Sequence, residues 1–63
     1  MITVTYRDQH WAVPGPIVVR DLIESVGLTP ATVLAVRHGQ LVLDSAVADD
    51  GDVIKLIAVM TGG

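Results

Sequence analysis

The order of apolar and polar residues predicts an α+β fold, in which a mixed sheet of four to five strands carries one helix packed on one face. Three observations support this prediction. Short segments near both ends of the chain alternate apolar and polar residues as strands do. Residues 19–26 instead repeat their apolar positions with a helical period. Glycine and proline separate most of these segments, as expected of turns.

The N-terminal segment predicts a β-hairpin. Residues 2–6 place Ile2, Val4 and Tyr6 on one face of a first strand, and residues 10–13 return with Trp11 and Val13 on a common face. The polar residues between these two segments form the turn. A proline-glycine-proline sequence at residues 14–16 then ends the hairpin, because proline cannot donate a backbone hydrogen bond to a sheet.

The helix is predicted from four apolar positions at i, i+3, i+4 and i+7, which are Val19, Leu22, Ile23 and Val26. Gly27 follows them and is expected to end the helix in a left-handed conformation. At the other end, Val18 has no hydroxyl group to accept a backbone hydrogen bond. We therefore expect a helix that begins less sharply than one with a threonine at this position.

Three further strands are predicted at residues 33–36, 40–43 and 53–59, with turns at His38-Gly39 and at residues 49–52. Alternation along the last strand places Ile54 and Leu56 toward the helix and Lys55 on the opposite side. Four residues then remain as candidates for an exposed apolar patch near the C-terminus, namely Val53, Ile57, Val59 and Met60. For Val59 the alternative is that it only packs at the end of the sheet.

The composition limits the classes of function. The 63 residues predict a domain at residues 1–59 and a flexible tail at 60–63, with no room for a pocket that encloses a substrate. The net charge of −3 and the two aromatic residues argue against direct nucleic-acid binding. Since there is no signal-peptide pattern and no apolar run of membrane-spanning length, we expect a cytoplasmic protein.

Metal binding is not expected. The chain has no cysteine, and its two histidines, His10 and His38, lie far apart in or beside predicted turns. The aspartates at 49, 50 and 52 lack the spacing and the distal glutamate of an EF-hand calcium loop. A turn explains these aspartates.

The C-terminal Gly62-Gly63 is the strongest functional signal. Glycine lacks a Cβ atom, so such a tail can enter a narrow channel in a partner. Four extended residues, 60–63, reach about 13 Å, which is enough to enter an active site while the domain stays outside. We expect any chemistry at the Gly63 carboxylate, with Gly62 and Thr61 threading the tail. A frayed terminus is the alternative.

Four segments together resemble the ThiS/MoaD family of ubiquitin-like sulfur carriers, most closely the ThiS-like branch, over nearly the whole chain. They are Val18-Val19-Arg20-Asp21-Leu22-Ile23, Val33-Leu34-Ala35-Val36-Arg37-His38-Gly39, Asp50-Gly51-Asp52 and Met60-Thr61-Gly62-Gly63. The resemblance implies a β-grasp (ubiquitin-like) fold. Two departures are Val18, where the family often has threonine, and residues 58–61, where MoaD members often have prolines.

The resemblance also implies a mechanism. An E1-like adenylating enzyme would join Gly63 to AMP with ATP and magnesium, and a cysteine desulfurase or rhodanese-type donor would convert it to a thiocarboxylate. A sulfur-accepting synthase, first of all that of the thiamine thiazole, would take the sulfur. The chain would then be a co-substrate and not an enzyme, with no catalytic residue or bound cofactor of its own. Met60, Val59 and Ile57 would bind the partner. A small acidic carrier that docks reversibly is expected to be a monomer when free.

Other functions share these features. The sulfur pathway could instead be tRNA thiolation or molybdopterin synthesis. A ubiquitin-like modifier would use Gly63 to form isopeptide bonds with lysines of target proteins. A passive β-grasp interaction module would not need the diglycine, so removal of Gly62 and Gly63 would distinguish it from both.

Overall fold

The computed structural model describes residues 1–59, and the fold is an α+β fold of the β-grasp kind. An α-helix packs against one face of a mixed five-stranded sheet whose strand order is β2-β1-β7-β4-β5, and β3 pairs with β6 in a small separate ribbon. The elements are β1 Ile2–Tyr6, β2 Gln9–Val13, β3 Ile17–Val18, α1 Val19–Ser25, a 3₁₀ turn Pro30–Thr32, β4 Val33–Arg37, β5 Gln40–Val42, β6 Val47–Ala48 and β7 Val53–Ala58.

The sheet combines antiparallel hairpins with one parallel pair. β1 pairs antiparallel with β2, and β4 pairs antiparallel with both β5 and β7. β1 and β7 run parallel in the middle, with Val4 opposite Ile54 and Tyr6 opposite Leu56. Parallel neighbours need a long crossover connection, and here most of the chain lies between them. The first and last strands of the described chain therefore become adjacent.

The core lies between α1 and the sheet. The predicted helix face packs there through Val19, Leu22 and Ile23, and Val26 is partly buried at its edge. Ile2, Val4, Ile54 and Leu56 meet it from the two central strands, and all seven side chains are at most 2% exposed. Burial of these large aliphatic groups is the main source of stability in so small a domain, because each stabilises the fold by about 1.5–3 kcal/mol.

The start of α1 differs from the sequence expectation. Val18 makes no side-chain cap, as predicted, but the helix does not begin loosely. The loop before β6 supplies backbone acceptors instead: the Val19 amide donates to the Ala46 carbonyl at 2.8 Å, and the Arg20 amide to the Asp44 carbonyl at 2.9 Å. Two of the amides that a helix N-terminus leaves unpaired are thus satisfied from a distant part of the chain.

The turns follow the glycines. Gly27 has a φ of +86° just after α1, which confirms its predicted left-handed conformation. His38 and Gly39 have φ values of 55° and 76°, the pattern of a two-residue hairpin turn between β4 and β5. Two short strands, β3 and β6, were not predicted, and the weak fourth predicted strand ends at Val42 instead of residue 43.

Candidate functional site

The base of the C-terminal segment lies at the middle of the sheet. β7 is the central strand, flanked by β1 and β4. Beyond its last residue, the Val59 amide donates a hydrogen bond to the Thr32 carbonyl at 2.9 Å, which continues the pairing of β7 with β4. Residue 59 is therefore held at the sheet, and the chain continues from a defined point beside β4.

The sheet surface turned away from α1 is called here the open face. Strand alternation and register place on it Thr3 and Thr5 of β1, His10 and Ala12 of β2, Leu34 and Val36 of β4, Leu41 of β5, and Val53, Lys55 and Ile57 of β7. Most of these side chains are exposed, whereas the alternate residues of the same strands form the core. Val59, opposite Thr32, extends the open face toward the C-terminus.

The open face has two unlike halves. On β4, β5 and β7, Leu34 lies directly opposite Ile57, and Val36 opposite Leu41. Exposure reaches 43% for both Leu34 and Ile57 and 65% for Leu41, so an apolar patch is left in solvent. On β1 and β2, threonines and His10 take the corresponding positions. Exposed apolar patches bordered by polar residues often mark interaction sites on small proteins.

Of the predicted partner-binding residues, the structure describes Ile57 and Val59 but not Met60. Ile57 and Val59 are exposed, and Val53 lies on the same face. Ile54 and Leu56 are buried toward the helix and Lys55 is exposed, so the predicted alternation of the last strand is confirmed. The predictions for Met60, Thr61, Gly62 and Gly63 lie outside the described residues.

Sequence reasoning missed the contribution of Leu34 and Leu41 to this patch. The signal for Leu34 was present, since Val33 and Ala35 alternate with Leu34 and Val36 and cannot share their face. That Leu34 meets Ile57, however, depends on the register between β4 and β7, which no local pattern specifies.

Charged groups connect the loops at one edge of the helix-facing side of the sheet, called here the helix-side rim, which includes Arg37 and residues 47–52. Arg37 donates to the Asp52 carboxylate at 2.9 Å and to the Val47 carbonyl at 3.2 Å, which ties β4 to β6 and to the turn before β7. The Asp49 amide also donates to Asp52 at 2.9 Å. That amide, and then the Arg37 guanidinium, lower the pKa of Asp52 from its ordinary value against the opposing effect of desolvation.

A second carboxylate joins the turn before β7 to the N-terminus and to the segment after β2. Asp50 accepts a hydrogen bond from the Gly15 amide at 2.9 Å and pairs with the α-amino group of Met1 at 3.1 Å. The Gly15 amide is the larger cause, and the Met1 amino group the next, of a pKa for Asp50 below its ordinary value. These aspartates thus have structural partners, which fits the predicted turn.

An apolar cavity of about 170 Å³ lies between α1, the 3₁₀ turn and β4–β5, and Asp44 is among the residues that line it. Within residues 1–59, no three His, Asp or Glu side chains come together in a way that could hold a metal ion. No helix of that same part of the chain is long and apolar enough to cross a membrane.

In a comparison with models of known protein families, none matches this chain.

Proposed function

We propose that this protein is a sulfur carrier whose Gly63 is adenylated by an E1-like enzyme and converted to a thiocarboxylate. The observation that supports the proposal is the position of Val59. This residue follows the central strand, beside the apolar patch around Ile57 and Leu34, and Gly63 is the fourth residue after it in the sequence. A partner that binds the patch is within reach of the diglycine.

The chemistry requires activation because a free carboxylate is a poor electrophile. In the first step the Gly63 carboxylate attacks the α-phosphate of ATP, which forms an acyl-adenylate and releases pyrophosphate. A persulfide sulfur from a desulfurase or rhodanese-type donor then attacks the acyl carbon, and AMP leaves. Reductive cleavage of the acyl persulfide by a thiol, which becomes a disulfide, leaves the thiocarboxylate. The partner enzyme binds ATP and magnesium, and the carrier itself needs no cofactor.

The carrier's own residues bind the activating enzyme and position the tail in its active site. Ile57, Val59 and Met60 contact the activating enzyme, and Thr61 and Gly62 thread the tail into its active site. The thiocarboxylate then delivers its sulfur to a synthase, in the first instance for the thiazole of thiamine, with tRNA thiolation or molybdopterin synthesis as the alternative pathways. The protein acts in the cytoplasm, free as a monomer and without catalytic side chains of its own.

The intact mass of the protein tests this function. The full chain is incubated with ATP, magnesium, a sulfide donor and the E1-like enzyme of the same organism. A gain equal to the exchange of one oxygen for one sulfur is expected, and it should disappear when Gly63 is deleted. Gly62→Val should also abolish it, because a β-branched side chain at that position obstructs a narrow channel.

The contrary outcomes identify the alternatives. If the enzyme is active on another carrier and the chain gains no mass, the sulfur-carrier function is wrong. Covalent adducts to lysines of other proteins that require Gly63 would instead indicate a modifier. A binding activity that survives the removal of Gly62 and Gly63 would indicate an interaction module.

A further inference from the structure

Lys55 occupies the centre of the open face. A straight row crosses all five strands of the sheet, in the order His10, Thr5, Lys55, Val36 and Leu41. Since neighbouring strands lie about 4.8 Å apart, the ammonium-bearing side chain stands about 10 Å from either edge. It marks the border between the threonine half and the apolar half of the open face.

The charge of Lys55 has no counterpart on this surface. Within residues 1–59, the open face carries no aspartate, glutamate or arginine on its strands. The salt bridges found in that part of the chain join other groups, which are Met1 with Asp50, Arg20 with Asp44, and Arg37 with Asp52. None of the seven acidic residues of the chain lies on a strand: Asp21 and Glu24 are on α1, and the other five are in turns and loops.

A partner that covers the apolar patch must also cover this charge. Lys55 lies next to Val36 across the strands and two residues from Ile57 along β7, so contact with Leu34 and Ile57 removes water from the ammonium group as well. An ammonium that loses its hydration without gaining an acceptor strongly opposes binding. The partner surface therefore needs an anionic group opposite Lys55.

The same charge disfavours a second copy of this chain as the occupant. Symmetric dimers present the same patch from both subunits, so a two-fold axis near the centre of the open face would bring Lys55 against Lys55 of the other copy. Like charges in a desolvated contact repel each other, and this repulsion selects a partner of different composition.

We propose that the activating enzyme, in the function proposed above, covers the open face with apolar side chains over Leu34 and Ile57 and places an aspartate or glutamate carboxylate against Lys55. This proposal rests on that function for the identity of the partner. Lys55 is then a specificity residue for docking: it takes no part in the reaction at Gly63 and affects how well the carrier binds.

The test is ATP–pyrophosphate exchange by the E1-like enzyme of the same organism, measured against carrier concentration. Lys55→Glu should raise the KM for the carrier by about tenfold or more and leave kcat unchanged, since only docking is affected. Lys55→Arg should keep a KM within about threefold of the wild type, because it retains the charge. Rising salt should raise the wild-type KM more than that of Lys55→Gln.

Arg20→Glu is the matched control. It makes the same change in net charge on exposed helix surface away from the open face, where Arg20 contacts Asp44 at 3.4 Å. Its KM should stay within about twofold of the wild type, because distant surface charges are screened by salt. Circular dichroism of each variant confirms that the fold is retained; Lys55 is exposed, and Lys55→Gln serves if Lys55→Glu is poorly folded.

An unchanged KM in Lys55→Glu, or an equal rise in Arg20→Glu, overturns the proposed role of Lys55. If exchange is still lost on deletion of Gly63, that result leaves the carrier function intact. Absence of exchange with the wild-type chain itself overturns the carrier function and, with it, the partner assigned to the open face.

Discussion

Both faces of β7 carry large aliphatic side chains, but only one of the two faces is covered by the rest of the fold. Ile54 and Leu56 lie under α1 with almost no exposure, whereas Val53 and Ile57 of the same strand are exposed by 57% and 43%. A domain of this size has little apolar surface to spare for solvent. The contrast shows that the helix-facing side of β7 holds the fold together, whereas the open face leaves apolar side chains in solvent.

The charged side chains on the two sides of the sheet also differ, because Arg37 and Asp52 of the helix-side rim have partners within the protein. The helix-side rim has carboxylates with defined donors, as Asp52 has in Arg37 and the Asp49 amide. On the open face, Lys55 takes part in none of the salt bridges found within residues 1–59. Paired charges thus fasten the turns of the fold, and an isolated charge stands where a partner is proposed to dock.

Truncation of one side chain on each face of β7 should give the largest difference. Ile54→Ala removes a side chain with no exposure from the core and should lower the free energy of unfolding by about 2–5 kcal/mol. Ile57→Ala removes the same atoms from the open face and should lower it by about 1 kcal/mol or less. Urea unfolding followed by circular dichroism measures both values, and equal losses would contradict the division into two faces.

Adding methyl groups at Gly15 and at Ala12 of the open face should give a smaller difference in stability than the truncations in β7. At Gly15 a Cβ atom would lie 2.8 Å from Cδ1 of Ile2 and 3.0 Å from the Asp50 amide nitrogen. Gly15→Ala should therefore destabilise the protein by about 1–3 kcal/mol through overpacking. Ala12→Val on the open face adds more bulk in solvent and should change stability by at most about 0.5 kcal/mol. Thermal unfolding of the two variants provides the comparison, and a tolerated Gly15→Ala would refute the close contact.

Acidification should have the smallest of the three effects on stability, and it should act through the carboxylates of Asp50 and Asp52. The folded protein lowers the pKa values of Asp50 and Asp52, so their stabilising contribution is complete above the unfolded pKa of about 4. That contribution is lost as the pH falls through the lower folded values. Melting temperatures measured from pH 7 downward should fall in this range for the wild type.

Asp52→Asn isolates this effect, because it removes one titrating group while retaining a similar shape. The variant should be less stable than the wild type at pH 7 and should lose less stability on acidification. An identical acid dependence in the two proteins would show that the Asp52 contacts with Arg37 and Asp49 do not contribute.

The sequence predicted most of the elements that position the candidate site. The alternation in β1 and β7, the apolar spacing of α1 and the glycines at 27, 39 and 51 are local signals, and the structure has the corresponding strands, helix and turns. β3 and β6 were missed because each has two residues. Such segments are too short to show a period, and they become strands only by pairing with each other.

By itself, the sequence determined the apolar faces of β1 and β2, the residues of β7 that face the helix, the place of the helix, and that an apolar segment with Lys55 precedes the diglycine. These features depend on neighbouring residues, whose side-chain directions follow from helix and strand geometry. Only the tertiary structure decided that β7 lies between β1 and β4, that Leu34 and Leu41 join Ile57 in one patch, and that distant carbonyls cap α1. Strand order and register depend on contacts between residues far apart in the chain, and no local pattern encodes them.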